Sequence, residues 1–477
     1  MPVESHLQPS ILSTLPPDEA RIVTALSDQF GAAGKELYLV GGVVRDILLG
    51  TPNRGELDFT TNSLPEETER LGVNAGAGSV YLVGARFGTV GMVFEGSDPD
   101  LPISVEITTY RAEHYPDESR KPSVKFGASL VDDLSRRDFT INAVAADGLS
   151  GLVIDPYHGQ ADLLMSRIRA VGDADQRFDE DPLRLLRAAR FVAQLGFAIE
   201  AETADAMVRQ AESLGRISRE RIYGELSRLL AGPYASHGLE ALHTTGLFRI
   251  VLPEIQDLPE QEPRPGDPHQ KDLWDHTKRV VDSVPSRPTV RWAALLHDSA
   301  KPRTRSISAS GEVHFFGHER VGADLAGMIL TRLNADNATQ AAVRQIVELH
   351  SRPETYDSTW TDSAVRRLML DAGVHLPDLL DLATEDVTSA RAEKQKLARK
   401  RIDALRAHIA HLETERALAD YQSPLNGTEL IALCDRPPGK WIAEIKDHLR
   451  ELVIDGELDP DDKEGAERIA LTMLSSI

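Results

Sequence analysis

The sequence predicts an α+β protein: one sheet-bearing unit near the N-terminus, followed by helical segments. Three observations predict it. Short β-rich runs bounded by turn residues cluster between residues 36 and 155. From about residue 160, apolar residues recur at helical spacing instead. Aromatic residues make up only 5% of the chain, while Ala, Leu and Arg are frequent, which favours helix.

The elements follow in order. A chain of 477 residues suggests several cores rather than one. Residues 1–35 read as helical and peripheral. ELYLVGG (36–42), ELDFTT (56–61), TVGMVFEG (89–96), ISVEITTYR (103–111) and GLVIDP (151–156) read as strands and their turns. TYRAEHYPDESRKPSVKFG (109–127) is charged and broken by prolines, a mobile loop between strands. DPLRLLRAARFVAQLGF (181–197) is an amphipathic helix with arginines at 184, 187 and 190, and ERIYGELSRLLAG is another, ended by Gly232-Pro233. The Pro-rich 260–272 reads as a linker, a His-rich helical block runs to about 390, and the tail begins basic and ends acidic. The expected domains are therefore 1–155, 156–259, 260–390 and 391–477.

Composition excludes several classes. The formal charge of −22 argues against a generally basic coat, so any nucleic acid must meet local basic patches. One cysteine, Cys434, rules out an internal disulfide framework and a Cys-based zinc site, and fits a reducing cytoplasm. The N-terminus lacks a signal-peptide pattern, and no window of 18 apolar residues suggests a membrane span. Oligomeric state is not legible.

LVGGVVRDILLGTPNRGELDFTTN (39–62) carries the first chemistry. Side chains at i and i+2 share a strand face, so Glu56 and Asp58 aim at one point. Paired carboxylates suit Mg²⁺, which takes a few acids plus substrate phosphates. Glu106, on another apolar strand, completes the set. Gly41 and Gly42 let backbone N–H groups approach phosphate at the start of a helix. Glycines holding a triphosphate and acids holding its metals make a site for two-metal transfer.

GGVVRDILLG…ELDFTT resembles the head signature of the polymerase-beta nucleotidyltransferase superfamily, and within it class II tRNA nucleotidyltransferases: the CCA-adding enzymes and related poly(A) polymerases. RRDFTINAVA (136–145), DPYHGQADL (155–163), EDPLRLLRAARF (180–191) and ERIYGELSRLL (220–230) continue the likeness in order. It implies a small mixed sheet with helices, then all-helical neck, HD and tail regions. It implies that Glu56, Asp58 and Glu106 are catalytic, that Gly41, Gly42 and Arg45 hold the triphosphate, and that Arg137 and Asp138 recognise the ribose. On a helix, Asp181 and Arg184 would share a face and offer an acceptor and a donor matching the pairing edge of C and A, not of G and U. The resemblance makes this pair the selector of CTP, then ATP. Arg187 and Arg190 either bind phosphate or pair with neighbouring acids. In the 109–127 loop, Arg111, Asp117 and Arg120 are candidates for the switch from C to A. The family usually has D-x-D; this chain has Glu56 at the first acid, which implies either a compensating strand shift or slower, Mn²⁺-preferring activity.

WDHTKRV, LLHDSAKP, FFGHERVGA, VELHSRP and ATEDVTSA supply imidazoles and carboxylates, standard donors for Zn²⁺, Mn²⁺ or Fe. The series resembles the HD phosphohydrolase fold. By that likeness His276, His297, Asp298 and Asp386 bind one divalent metal (Mn²⁺, Zn²⁺, Fe or Ni²⁺), His318 and His350 serve a second, and Lys301 lies near phosphate. The basic run 388–401, with Arg391, Lys394, Lys396, Arg399, Lys400 and Arg401, is expected to run along the tRNA acceptor arm through phosphate contacts. The expected function is template-independent addition of C, C and A to tRNA from CTP and ATP. The rivals are a poly(A) or A-only polymerase, an HD phosphohydrolase with an inactive head, and a non-catalytic tRNA binder.

Overall fold

A seven-stranded mixed sheet organises the first half of the chain. Its strands are β1 (Leu37–Val40), β2 (Glu56–Thr61), β3 (Ser79–Val83), β4 (Thr89–Phe94) and β5 (Ile103–Thr109), with β8 (Ala145–Asp147) and β9 (Val153–Ile154). Between them β6 (Arg111–His114) and β7 (Ser123–Phe126) form a separate antiparallel hairpin. The sheet order is β3-β4-β5-β2-β1-β8-β9, and β2 and β5 run parallel in its centre. The computed structural model describes residues 11–51, 55–83, 88–98, 100–114, 123–126, 129–258, 273–387, 392–415 and 421–474. The chain divides into two compact units, Met1–Val251 and Leu252–Ile477.

Alternation along β2 and β5 sorts side chains onto two faces. Leu57, Phe59, Val105 and Ile107 are fully buried in the core under the helix Pro17–Ala32, while Glu56, Asp58 and Glu106 stand on the open face. That helix is not peripheral, as its sequence suggests. Ile22, Leu26 and Phe30 recur at helical spacing and lie at the centre of this core. The expected loop 109–127 is likewise partly a hairpin, β6 pairing with β7; its tip lies outside the described residues.

The first unit continues in helices Ala174–Glu180, Leu183–Leu195, Ala201–Gln210, Arg219–Leu230 and Ala235–Thr244. Among the described residues the regular elements of the second are helices, apart from one two-residue β pairing. Its helices Leu273–Ser283, Pro288–Leu296, His318–Arg332, Asn337–Leu349, Asp362–Ala372 and Leu376–Glu385 precede a 24-residue helix, Ala392–Glu415. Ile402, Leu405, Ile409 and Leu412 on that helix are buried, and it packs on Asp362–Ala372 and Leu376–Glu385. Gly427–Cys434, Trp441–Asp455 and Lys463–Leu474 close around Trp441, Ile445 and Leu449. Among the described residues no helix is long and apolar enough to cross a membrane.

Candidate active site and metal centre

The parallel register of β2 and β5 sets Asp58 directly beside Glu106, with Glu56 opposite Ser104. On the other side of Glu106 the register partner is Gly91 of β4, which carries no side chain. Three carboxylates thus share one face of two adjacent strands. Burial, then the charges of Glu106 and Glu56, push the Asp58 carboxyl up to about 6 against the pull of Arg137. Such a carboxylate cluster fits divalent cations, whose charge would lift the mutual repulsion.

Gly41 borders this face. Its φ of +74° belongs to the left-handed region, and a Cβ there would sit 3.1 Å from Arg137 Nη1 and 3.8 Å from Asp58 Oδ2. A side chain would therefore enter the site. Gly42 opens the helix Gly42–Leu48. On it, Arg45 donates to Asp46 Oδ1 at 2.8 Å and Asn142 Oδ1 at 3.0 Å, and stacks on Phe191 at 5.4 Å.

Asp138 is buried and heavily bonded. It accepts from Phe139 N at 2.8 Å, Asn142 Nδ2 at 3.2 Å, and Arg187 Nε and Nη2 at 2.8 and 2.5 Å. Burial alone would raise its carboxyl, but the Arg187 charge and these bonds hold it at about 2. Arg187 is thereby tied to the head, and Asp138 faces a guanidinium from the neck helix. Arg190 is buried against Glu225 at 2.6 Å and Gln194 at 2.9 Å, so of the two roles open to it the structure gives it ion pairing.

The expected shared helical face of Asp181 and Arg184 is corrected. One helix ends at Glu180, Asp181 is extended (φ −142°, ψ 96°), and Pro182 caps the next. The ring of Pro182 clashes with a helical residue before it, which forces this break. Asp181 accepts from Leu183 N at 3.1 Å and Arg221 Nη2 at 3.2 Å. Arg184 donates to Arg177 O and Glu180 Oε2, both at 3.0 Å, and to Arg136 O at 2.7 Å. Arg111 lies on β6; Asp117 and Arg120 fall outside the described residues.

The second unit brings the histidines together. His276 Nε2 lies 3.3 Å from His297 Nε2, 2.9 Å from Asp386 Oδ1 and 3.6 Å from Asp298 Oδ2. His318 and His350 approach the other oxygen, Asp298 Oδ1, at 3.6 and 3.8 Å. Two sets of donors therefore meet at one carboxylate: His276, His297 and Asp298, and Asp298, His318 and His350. Nδ1 of His297, His318 and His350 faces the carbonyls of Ala294, Phe315 and Val347 at 2.8, 2.8 and 2.7 Å, which leaves each Nε2 as the inward donor atom. Asp298 Oδ1 is buried without a hydrogen-bond partner. An orphaned carboxylate oxygen facing two imidazoles fits a metal ion. Burial works against the His297 imidazolium, but Asp298 and Asp386 outweigh it and hold its pKa well above the usual value. Lys301 Nζ donates to Asp298 Oδ2 at 2.6 Å.

Sequence reasoning missed Glu354. Burial and the adjacent Asp386 carboxylate push its carboxyl up to about 8. It also missed Asp133 and Asn142, which lie inside or beside a recognised motif but whose partners come from distant elements. Of the basic run, Arg391 lies outside the described residues, Arg399 pairs with Glu385 at 3.0 Å, and Arg401 donates to Glu354 O at 2.7 Å. Lys394, Lys396 and Lys400 are exposed.

Fold and acid face together define a nucleotidyltransferase head joined to an HD-type helical unit, and both parts imply use of divalent metal. Residues 37–169 match the Poly A polymerase head domain, 196–258 the probable RNA and SrmB-binding site of polymerase A, and 271–410 the HD domain. The CCA-adding enzyme of Geobacillus thermodenitrificans (strain NG80-2) is 35% identical over 438 residues, 90% of this chain and 92% of that protein. The chain belongs to the CCA-adding enzyme family. The crystal structure of the Bacillus stearothermophilus CCA-adding enzyme in complex with CTP superposes with a TM-score of 0.69 at 26% identity, covering 97% of this chain and 99% of that one. The Thermotoga maritima CCA-adding enzyme complexed with tRNA has the same fold, with a TM-score of 0.56 at 18% identity, covering 97% of each chain.

Proposed function

We propose that this protein adds C, C and A to the 3′ end of tRNA from CTP and ATP, with protein side chains rather than a nucleic-acid template choosing the base. The observation that carries this reading is the register of Asp58 beside Glu106, with Glu56 on the same face and Gly41 at its edge. Glu56, Asp58 and Glu106 would hold Mg²⁺, which supplies neutralisation of the triphosphate and activation of the attacking tRNA hydroxyl. Gly41, Gly42 and Arg45 line the triphosphate end, and Arg137 meets the sugar. Asp181 and Arg184 read the base edge, Asp181 from the extended link before the helix and Arg184 from its first turn. Asp138 acts by fixing Arg187. The relatives' names, which describe CCA addition, support the same reading over most of the chain. The division of labour follows the chain: head 1–155, neck 156–259, HD region 260–390 and tRNA-contacting tail 391–477. The setting is the cytoplasm.

His276, His297, Asp298 and Asp386, with His318 and His350, would hold Mn²⁺, Zn²⁺, Fe or Ni²⁺ in the HD region. The orphaned Asp298 Oδ1 favours a metal there and, with Lys301 beside it, a second, hydrolytic activity on phosphate esters. The deciding experiment supplies tRNA lacking its 3′ end with CTP or ATP singly, in Mg²⁺ and in Mn²⁺. Incorporation of two C from CTP alone, then A once ATP is added, is expected. Incorporation of A without C would make the protein an A-adding or poly(A) polymerase.

A further inference from the structure

Asp133 is a buried carboxylate for which the reading above has no use. It lies on the short helix Leu130–Ser135 and is wholly inaccessible to solvent. Its Oδ2 accepts from Thr60 Oγ1 at 3.1 Å, and its Oδ1 accepts from Arg136 Nε and Nη2 at 3.0 and 2.6 Å. Oδ2 also lies 3.5 Å from Arg137 Nη2. Thr60 stands two residues beyond Asp58 on β2. Asp133 thus links the acid-bearing strand to Arg137.

The Arg137 guanidinium is sparsely bonded. Nε is buried without a hydrogen-bond partner, and Nη1 reaches Asn142 O only at 3.5 Å. Burial weighs most against its charge and lowers its pKa; among the neighbouring charges Asp133 offsets this most strongly, ahead of Asp58 and Asp138, while Arg136 repels it. Held there, Nη1 lies against Gly41, whose missing side chain leaves the space that opens to Asp58. Unspent donors on a fixed fork are what recognition of a sugar hydroxyl needs. Packing alone does not call for a buried carboxylate, since apolar residues of similar volume commonly serve as well.

We infer that Asp133 is a positioning residue for sugar selection: it fixes Arg137 at the Gly41 edge of the site, where the guanidinium meets the ribose of the incoming nucleotide. This rests on the assignment of Arg137 to the sugar. The test measures kcat and KM for CTP and dCTP, and tRNA affinity, in the full chain. Asp133→Asn is expected to narrow the preference for CTP over dCTP by about tenfold, the loss of roughly one charge-assisted hydrogen bond, mainly through a higher KM for CTP and with tRNA affinity unchanged. If both nucleotides slow by the same factor, Asp133 only supports the fold and the inference fails. Arg137→Gln separates the two ideas: if it leaves the ribose preference intact, the assignment of Arg137 itself is wrong. Thr60→Val removes the strand link, together with the 3.1 Å contact of the same hydroxyl to Thr108 O, and answers the question if Asp133→Asn does not fold. It should shift the preference in the same direction by about threefold, and an unchanged preference would overturn the inference.

Discussion

Glu56 carries one methylene more than the aspartate usual in its family, which advances its carboxylate by roughly 1 Å, and misplacement on that scale can cost about 100-fold in rate. It opens β2 immediately after Gly55, whose φ is +76°, so the end of the strand has a flexible joint at which to sit back. Glu56→Asp is therefore expected to change nucleotide addition in Mg²⁺ by no more than a few-fold; a gain near 100-fold would mean that the strand does not compensate. Asp58 makes a second prediction. Its folded pKa of about 6 lies above the ordinary 3.8, so the fold binds this proton more tightly than the unfolded chain does. In the metal-free protein its contribution to stability is most favourable below the ordinary value and is lost as pH rises through about 6. A divalent cation among the acids takes over the proton's role, so Mg²⁺ should raise the melting temperature more at pH 7.5 than at pH 5. Equal shifts at both pH values would place the cation elsewhere. The acid face was legible because period-two alternation is a local property of a strand. Asp133 and Glu354 were not, because their partners Thr60 and Asp386 come from other elements and only tertiary packing pairs them.

The strands that run as apolar blocks, β1, β2, β4 and β5, and the helices Leu183–Leu195 and Arg219–Leu230 were legible from periodicity and breakers. β8 was not: it is three residues, Ala145–Asp147, and is a strand because β1 and β9 pair with it on either side. The hairpin β6–β7 was hidden by the charged residues of its loop. The neck holds the most instructive miss. Reading EDPLRLLRAARF as one helix puts Asp181 and Arg184 on one face, but Pro182 divides it, and the division sets how the pair meets a base. With Asp181 extended, its carboxylate is fixed by Leu183 N and Arg221 rather than by helical phase. Pro182→Ala removes the restriction on Asp181 and lets the two helices fuse. The preference for CTP over UTP should then fall by about tenfold, the scale of one bidentate base contact, while the melting temperature holds or rises. Unchanged selectivity in a folded Pro182→Ala protein would show that the break does not set the reader's geometry.

A chain with a formal charge of −22 that serves tRNA must bind one polyanion with another, so attraction has to be local. The sequence marked the basic helix, but its cations divide by packing. Arg399 and Arg401 are drawn to Glu385 and the Glu354 carbonyl because the buried face of Ala392–Glu415 lies on the neighbouring helices of its unit. Which cations are held this way depends on what the helix packs against, information its own sequence lacks. Lys394, Lys396 and Lys400 are exposed and enter none of these contacts, and they are the cations proposed to meet backbone phosphates. Each phosphate neutralised releases condensed counterions, so affinity falls with salt at a slope of roughly 0.7–0.9 per contact. Replacing the three lysines with glutamine should weaken tRNA binding at low salt and flatten the plot of log affinity against log salt by about two. The rate of C addition at saturating tRNA should hold, because these lysines belong to the unit Leu252–Ile477 and the acid-bearing strands to the unit Met1–Val251. A salt slope unchanged by the triple substitution would move the tRNA-binding surface off this helix, and a lost rate at saturation would place the lysines in the reaction rather than along the acceptor arm.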